Sequence, residues 1–258
     1  MIPLVLYGAA GRMGKAVEDA VRTNSHFRIK ARVDTGPSGG GSGVEKSELP
    51  VRGDVVIDFS SPSGFVAACR VCRETGAALV SGTTGLGAAE EQVLRETAAH
   101  SPVLHATNFS LGVVVLRRAL EAALRSLPAG WDVEILERHH RGKADAPSGT
   151  ALTLAREVAA ARGFTEESFR NGRSGRTGAR PEREIGIHAV RGGTWVGDHQ
   201  VLLAGEGEWL ELRHVAQDRG AFAQGALAAA NFVAGAGPGL YNLFDVIGSK
   251  TDRGPRSS

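Results

Sequence analysis

The run Ile2–Tyr7 ends directly in Gly8-Ala-Ala-Gly11-Arg-Met-Gly14, and an amphipathic pattern over 13–23 begins before the last glycine. Few folds accept this. Three glycines at G-x-x-G-x-x-G spacing between an apolar run and a helix imply a tight strand-turn-helix. There the backbone approaches a ligand closely and the helix packs directly on the sheet. The open helix N-terminus, with its N–H groups and partial positive charge, suits phosphate.

The next hundred residues repeat the same grammar. Apolar runs at 2–7, 29–33, 55–59, 78–80 and 103–106 alternate with helical patterns at 13–23, 63–75 and 88–100. Continuous apolar runs, as opposed to alternating ones, indicate strands covered on both faces. Strand-helix alternation with right-handed crossovers gives a parallel, doubly wound, Rossmann-like α/β sheet. The glycine-rich stretch 36–43 reads as a flexible loop outside that sheet. Asp34 closes the second run 20 residues after Gly14, where a carboxylate meets the ribose hydroxyls of a dinucleotide. Its alternative reading is a turn aspartate. Arg12 reads either as a phosphate contact or as a solvated arginine.

After Asn108 the pattern changes. A helix at 111–126, a run at 132–137 and a second helix at 150–162 precede a glycine- and arginine-rich loop at 171–181. Strand-like runs follow at 184–190, 195–204 and 209–215. Gly192-Gly193 and Gly205-Glu206-Gly207 are placed as turns joining antiparallel neighbours. This predicts a smaller α+β domain with a mixed or antiparallel sheet. An alanine-rich helix at 221–234 and the run 243–247 fit either unit.

Charge narrows the function classes. The formal net charge is only +2, and Lys250, Arg253 and Arg256 against Asp252 account for all of it, so no broad field for nucleic acid exists. The arginines of 170–183 lack interleaved aromatics and are offset by Glu166, Glu167, Glu182 and Glu184, so no nucleic-acid partner is expected. The apolar start has no basic flank and is too short for a signal peptide or membrane span. Cys69 and Cys72 fall within a helical stripe with Phe65 and Val66. They are read as buried, inert thiols of a reduced, cytoplasmic protein.

Chemistry concentrates in two places. The loops Gly82-Thr83-Thr84 and Ala106-Thr107-Asn108-Phe109 follow strand ends on the edge where such sheets bind ligands, beside a nicotinamide ring; each also reads as ordinary turn chemistry. The second place is Glu137-Arg-His139-His140-Arg-Gly-Lys143, followed by Pro147-Ser148-Gly149-Thr150 at a helix start. Histidine exchanges protons near neutrality, lysine and arginine fix carboxylates, and Ser148 is a natural N-cap. The segment suits an acidic small molecule that must be protonated, or else is a solvated basic loop. Adjacent histidines point apart, so no metal is expected.

In this combination and order, these motifs resemble the 4-hydroxy-tetrahydrodipicolinate (dihydrodipicolinate) reductase family. The resemblance also rests on Asp58-Phe-Ser60, Gly85, Ser110, Asp145-Ala-Pro, Ala151, Gly175-Arg-Thr-Gly-Ala-Arg-Pro181, Ile185-Gly-Ile-His188 and Val196-Gly-Asp-His199. It runs from residue 8 to about 247. The resemblance implies NAD(P)H-dependent reduction of 4-hydroxy-tetrahydrodipicolinate to tetrahydrodipicolinate, a step of lysine and diaminopimelate biosynthesis. It implies His139 as general acid/base with Lys143 as partner, and His140, Ser148, Gly149 and Thr150 against a small dicarboxylate substrate. Cofactor contacts fall on Gly8, Ala9, Ala10, Gly11, Arg12, Met13, Gly14, Asp34, Gly82, Thr83, Thr84, Ala106, Thr107, Asn108 and Phe109. It further implies a dinucleotide-binding domain of 1–108 plus 221–258, a substrate-binding and oligomerisation domain of 109–220, and a homotetramer.

Asp34 is followed by Thr35-Gly36, where some family members carry an arginine for the 2′-phosphate of NADPH. NADH is therefore favoured, with Arg32 and Arg12 as cations that could admit NADPH. Two other classes compete: a homoserine- or semialdehyde-type dehydrogenase, and a non-catalytic dinucleotide-sensing module. The semialdehyde type needs a nucleophilic cysteine, and a sensor has no use for the His139–Thr150 segment.

Overall fold

The computed structural model describes residues 1–34 and 49–251, so the expected loop at 36–43 lies outside the described residues. The chain divides into two compact units, Met1–Leu111 with Arg219–Ser258, and Gly112–Asp218.

In the first unit β1 (Ile2–Tyr7), α1 (Arg12–Arg22), β2 (Phe27–Val33), β3 (Val55–Asp58), α2 (Pro62–Thr75), β4 (Ala78–Ser81), α3 (Ala88–Ala98) and β5 (Pro102–His105) alternate in order. Every residue of β3 and β4 is buried, which is why these runs carry no polar alternation. The sheet is parallel throughout, in the order β11-β5-β4-β3-β1-β2, with β11 (Gly239–Tyr241) as a short edge. The chain leaves β1 for β2 on one side and β3 on the other, so the topological switch lies between β1 and β3. Helix α2 begins at Ser61, whose hydroxyl accepts the Gly64 N–H at 3.3 Å, and ends at left-handed Gly76. Its inward stripe is Phe65, Ala68, Cys69 and Cys72. Val66, expected on that stripe, is 37% exposed, because one residue turns a helix by about 100° away from Phe65. Burial pushes the Cys69 thiol up to about 11 and Cys72 in the same direction, so neither forms a thiolate nucleophile.

The second unit holds the rest of α4 (Leu111–Ser126), β6 (Asp132–His139), α5 (Gly149–Arg162), β7 (Phe169–Asn171), β8 (Ile185–Arg191), β9 (Gly197–Ala204) and β10 (Trp209–Ala216). Its mixed sheet runs β10-β9-β6-β8-β7, with β6, β7 and β8 parallel and β9 and β10 antiparallel to their neighbours. Gly205-Glu206-Gly207 makes the expected hairpin. Gly192-Gly193 does not: β8 and β9 are separated by β6, so that turn starts a crossover between strands that never pair. Leu154, Ala155 and Val158 of α5 and Leu116 and Leu120 of α4 pack on Val133, Ile135, Ile187, Val201 and Leu203. The arginine-rich loop is tied down by carboxylates. Arg173 and Arg180 both reach Glu134, at 2.7 and 3.0 Å.

The chain then returns to the first unit through α6 (Gly220–Val233) and, beyond β11, α7 (Leu243–Thr251). Alanine-rich α6 packs against α1 and β4. At Gly225 a Cβ would land on the Phe109 carbonyl oxygen, so only glycine allows this approach.

Candidate active site

Within the first unit, the strand order brings the expected loops to the carboxyl edge of the sheet. Gly8 sits at the switch with φ +76°, and a Cβ there would stand 2.5 Å from the Phe59 carbonyl oxygen, which follows β3. At Gly14, in the first turn of α1, a Cβ would strike the carbonyl oxygens of Gly8 and Ala9. Gly11 is the N-cap and offers no side chain to the first-turn N–H groups. Arg12, Ala10 and Gly11 are exposed, Met13 is half-buried and Ala9 buried. This cradle fits a pyrophosphate: a helix N-terminus with no side-chain cap, reached by a turn whose Gly8 and Gly14 cannot be enlarged. Asp34 lies beside it, accepting the Ala10 N–H with its two oxygens at 3.0 and 3.1 Å.

The loops after β3 and β4 are organised by Asp58, the first residue of the Asp58-Phe-Ser60 motif. Asp58 is fully buried and accepts from the hydroxyls of Ser60, Ser81 (2.8 Å) and Thr83 (2.8 Å) and from the Ser60 N–H (3.1 Å). Thr83 therefore points inward, and Thr84 is the exposed member of its loop. Gly82 lies against the Phe59 ring, which meets Phe109 edge-on at 5.3 Å between centroids. Asn108 turns back to accept the Ser110 N–H at 2.9 Å; Ala106 is half-buried and Thr107 exposed.

In the second unit β6 alternates strictly, with Val133, Ile135, Glu137 and His139 facing inward. The inward row thus begins apolar and ends in an acid and an imidazole. Glu137 is 0% exposed. Its Oε2 takes the His139 Nδ1 at 2.6 Å, Arg191 donates to both oxygens at 2.7 Å, and the Ser148 N–H reaches Oε1 at 2.9 Å. Burial alone would raise the Glu137 pKa. Hydrogen bonds from His139, Arg191 and Ser148 more than offset it and hold the carboxyl down at about 2. Ser148 caps α5, its hydroxyl accepting the Ala151 N–H at 3.2 Å and meeting His199 Nε2 at 3.1 Å. His199 stacks edge-on against His139, 5.1 Å between centroids. Burial, then the neighbouring His139, pushes its pKa down to about 4, so it is neutral at pH 7.

His139 and Ser148 are therefore brought together on one carboxylate, with exposed Gly149 and half-buried Thr150 in the next turn of backbone. Lys143 is held at 2.8 Å by Asp145, and His140 is anchored by its N–H to the Trp195 carbonyl at 2.8 Å. Glu137, Arg191 and His199 are members of the cluster that the sequence does not mark as site residues. Glu137 carries a local signal, two residues from His139 and so on the same strand face; Arg191 and His199 join only through strand pairing. Among the described residues no cluster of three or more His, Cys, Asp or Glu could hold a metal ion, and no helix is long and apolar enough to cross a membrane.

Residues 2–109 match the family described as dihydrodipicolinate reductase, N-terminus, and residues 112–247 match its C-terminus counterpart. The 4-hydroxy-tetrahydrodipicolinate reductase of Myxococcus xanthus is 43% identical over 96% of this chain and 98% of its own length. That of Nitrosomonas eutropha is 39% identical over 96% and 98%. A dipicolinate-bound dihydrodipicolinate reductase from Paenisporosarcina sp. TG-14 superposes with a TM-score of 0.72 at 26% identity, covering 94% of this chain and 97% of its own. With both halves matched in order and whole-length relatives near 40% identity, the chain belongs to the dihydrodipicolinate reductase family.

Proposed function

We propose a residue-level assignment for a chain that, as a member of this family, is an NAD(P)H-dependent 4-hydroxy-tetrahydrodipicolinate reductase. The observation that carries it is the Glu137 cluster, which joins an imidazole and a helix start through one buried carboxylate. The glycine turn and α1 hold the pyrophosphate, Asp34 takes the ribose hydroxyls, and the loops of Gly82–Thr84 and Ala106–Phe109 border the nicotinamide. The bound reduced nicotinamide supplies a hydride. The first turn of α5, through Gly149 and Thr150, takes a substrate carboxylate, supported by its N–H groups and dipole. Lys143 adds positive charge beside it, and His140 a hydrogen bond. His139 delivers the proton that completes the reduction, and the Glu137 carboxylate supports the imidazolium that carries it.

NADH is the better cofactor in this reading. Arg32, a candidate cation for a 2′-phosphate, is engaged by Glu18 at 2.6 Å, and the Asp34 carboxylate would repel that phosphate. The competing semialdehyde-type reading has no support from Cys69 or Cys72, both buried with raised pKa values. We place the enzyme in the cytoplasm as a homotetramer assembled through the second unit. Strand β10 is a sheet edge that exposes Trp209, Leu210 and Val215, a surface suited to self-association.

The test is NADH oxidation, followed at the nicotinamide absorbance band, with enzymatically generated 4-hydroxy-tetrahydrodipicolinate. His139→Gln, which cannot titrate, should lower kcat by about 10²–10⁴-fold and leave NADH affinity unchanged. More than half of the kcat surviving would remove His139 from proton transfer.

A further inference from the structure

We infer that Glu137 and Arg191 are positioning residues for proton delivery. Glu137 fixes the His139 imidazole in one tautomer, and Arg191 offsets the carboxylate charge that this imidazole faces. The inference rests on His139 being the proton donor.

The geometry is a saturated carboxylate. A carboxylate offers about four acceptor positions, and Glu137 fills them with His139 Nδ1 at 2.6 Å, two Arg191 nitrogens at 2.7 Å and the Ser148 N–H at 2.9 Å. Arg191 and the Ser148 amide can only donate, so Glu137 stays an anion and an acceptor. Its remaining partner, His139 Nδ1, must then carry hydrogen whether the ring is neutral or charged. Nε2 is left as the position that gains and loses the proton, the one a substrate can use.

The Arg191 guanidinium is itself fixed, with one nitrogen on the Asp145 carbonyl and another on the Val190 carbonyl, at 2.7 and 2.8 Å. The charged and titratable groups facing His139 are therefore Glu137 from its own strand, Arg191 from β8 and His199 from β9. His214 of β10 stands opposite His199 in the strand register, and Lys143, four residues on, is paired with Asp145. His199 is neutral at pH 7, so the field at His139 is that of the Glu137–Arg191 pair. The bidentate guanidinium offsets the carboxylate charge while leaving the orienting hydrogen bond to His139 in place.

The two charges make opposite predictions, which separates positioning from mere support of the fold. The alkaline limb of the kcat/KM profile should move down by about one pH unit in Glu137→Gln and up by about one unit in Arg191→Met. Arg191→Lys, which keeps the charge, should stay close to wild type. In the double variant both charges are gone and the limb should fall between Glu137→Gln and wild type. The double variant and Arg191→Lys keep the test decisive if Arg191→Met does not fold. Histidine ¹⁵N spectra give a readout independent of turnover: His139 should be the Nδ1–H tautomer when neutral and should titrate in the same order across the variants. Limbs and titrations that move together, or not at all, overturn the proposal, as does an Nε2–H tautomer in the wild type. If the spectra follow the expected order while His139→Gln retains full activity, the assignment of His139 as proton donor fails and the positioning geometry stands.

Discussion

Arg32 Nε donates to Glu18 Oε1 at 2.6 Å, tying β2 to α1 two residues before Asp34. The pair lies two residues before the carboxylate proposed to read the adenosine ribose, and it engages a cation that a 2′-phosphate could otherwise use. With Arg32 engaged, Asp34 repels that phosphate, and wild type should show a modestly higher kcat/KM with NADH than with NADPH. Glu18→Ala frees the guanidinium and should shift the ratio towards NADPH by about three- to tenfold. That is the low end of what a charged hydrogen bond supplies once solvent screens it. Asp34→Ala should raise KM for NADH. Side-by-side titrations decide the matter, and a wild-type preference for NADPH of about tenfold or more, some 1.4 kcal/mol, would remove Asp34 as the discriminator.

Thr150 follows the Ser148 cap by two residues and is half-buried at the start of α5. Ser148 has its amide and hydroxyl committed to Glu137, Ala151 and His199, so a substrate carboxylate here depends on the residues after it. Thr150→Val should raise substrate KM by about ten- to a hundredfold, as expected for a lost hydrogen bond to a charged group of about 1.5–3 kcal/mol. An unchanged KM with unchanged circular dichroism would move the carboxylate site elsewhere.

The parts of the fold legible in the sequence are those set by local physics. The β1–turn–α1 unit is legible because Gly8 and Gly14 sit where a Cβ has no room, a requirement written into the residue type. Strands β3 and β4 are legible as unbroken apolar runs because both faces are covered. What was not legible depends on partners far along the chain. β7 and β11 are three residues each, too short for a pattern, and are strands because β8 and β5 lie beside them. Gly192-Gly193 looks like any hairpin turn; only the pairing of β6 with both β8 and β9 makes it a crossover. The site divides likewise. His139, Lys143 and Ser148 share one segment, whereas Arg191 is 54 residues from Glu137 and His199 is 51 from Ser148.

Gly225 tests whether α6 shapes the loop it packs against. The Cβ of an alanine would land on the Phe109 carbonyl oxygen, a backbone atom that cannot swing aside as a side chain would. Overpacking of this kind costs about 1–3 kcal/mol, so Gly225→Ala should lower Tm by about 2–10 °C and raise KM for NADH through the displaced Phe109 loop. Gly130→Ala, where nothing stands within 4 Å of the new Cβ, serves as the control and should leave both values near wild type. Equal Tm values in calorimetry for Gly225→Ala and wild type would mean that helix and loop separate without cost.

His199 makes the second unit acid-sensitive in a defined window. Burial and the neighbouring His139 lower its folded pKa from 6.5 to about 4. As pH falls below about 6.5 the unfolded chain takes up this proton first, the folded state resists it, and stability drops until the folded residue also protonates near pH 4. The 2.5-unit difference corresponds to about 3 kcal/mol lost across that interval. Glu137, held down at about 2, contributes its loss later, as pH falls from the ordinary carboxylate range towards that value. Trp131, Trp195 and Trp209 are the only tryptophans and all lie in the second unit, so urea unfolding followed by tryptophan fluorescence reads this unit alone. Wild type should lose stability steadily from pH 6.5 to 4. His199→Gln, which keeps a partner for the Ser148 hydroxyl and carries no titrating proton, should lose clearly less over the same interval, the remaining slope coming from His214 of β10, whose pKa burial also lowers. Parallel slopes for the two proteins would show that His199 is not the group that charges, and would move the acid sensitivity to another residue of the cluster.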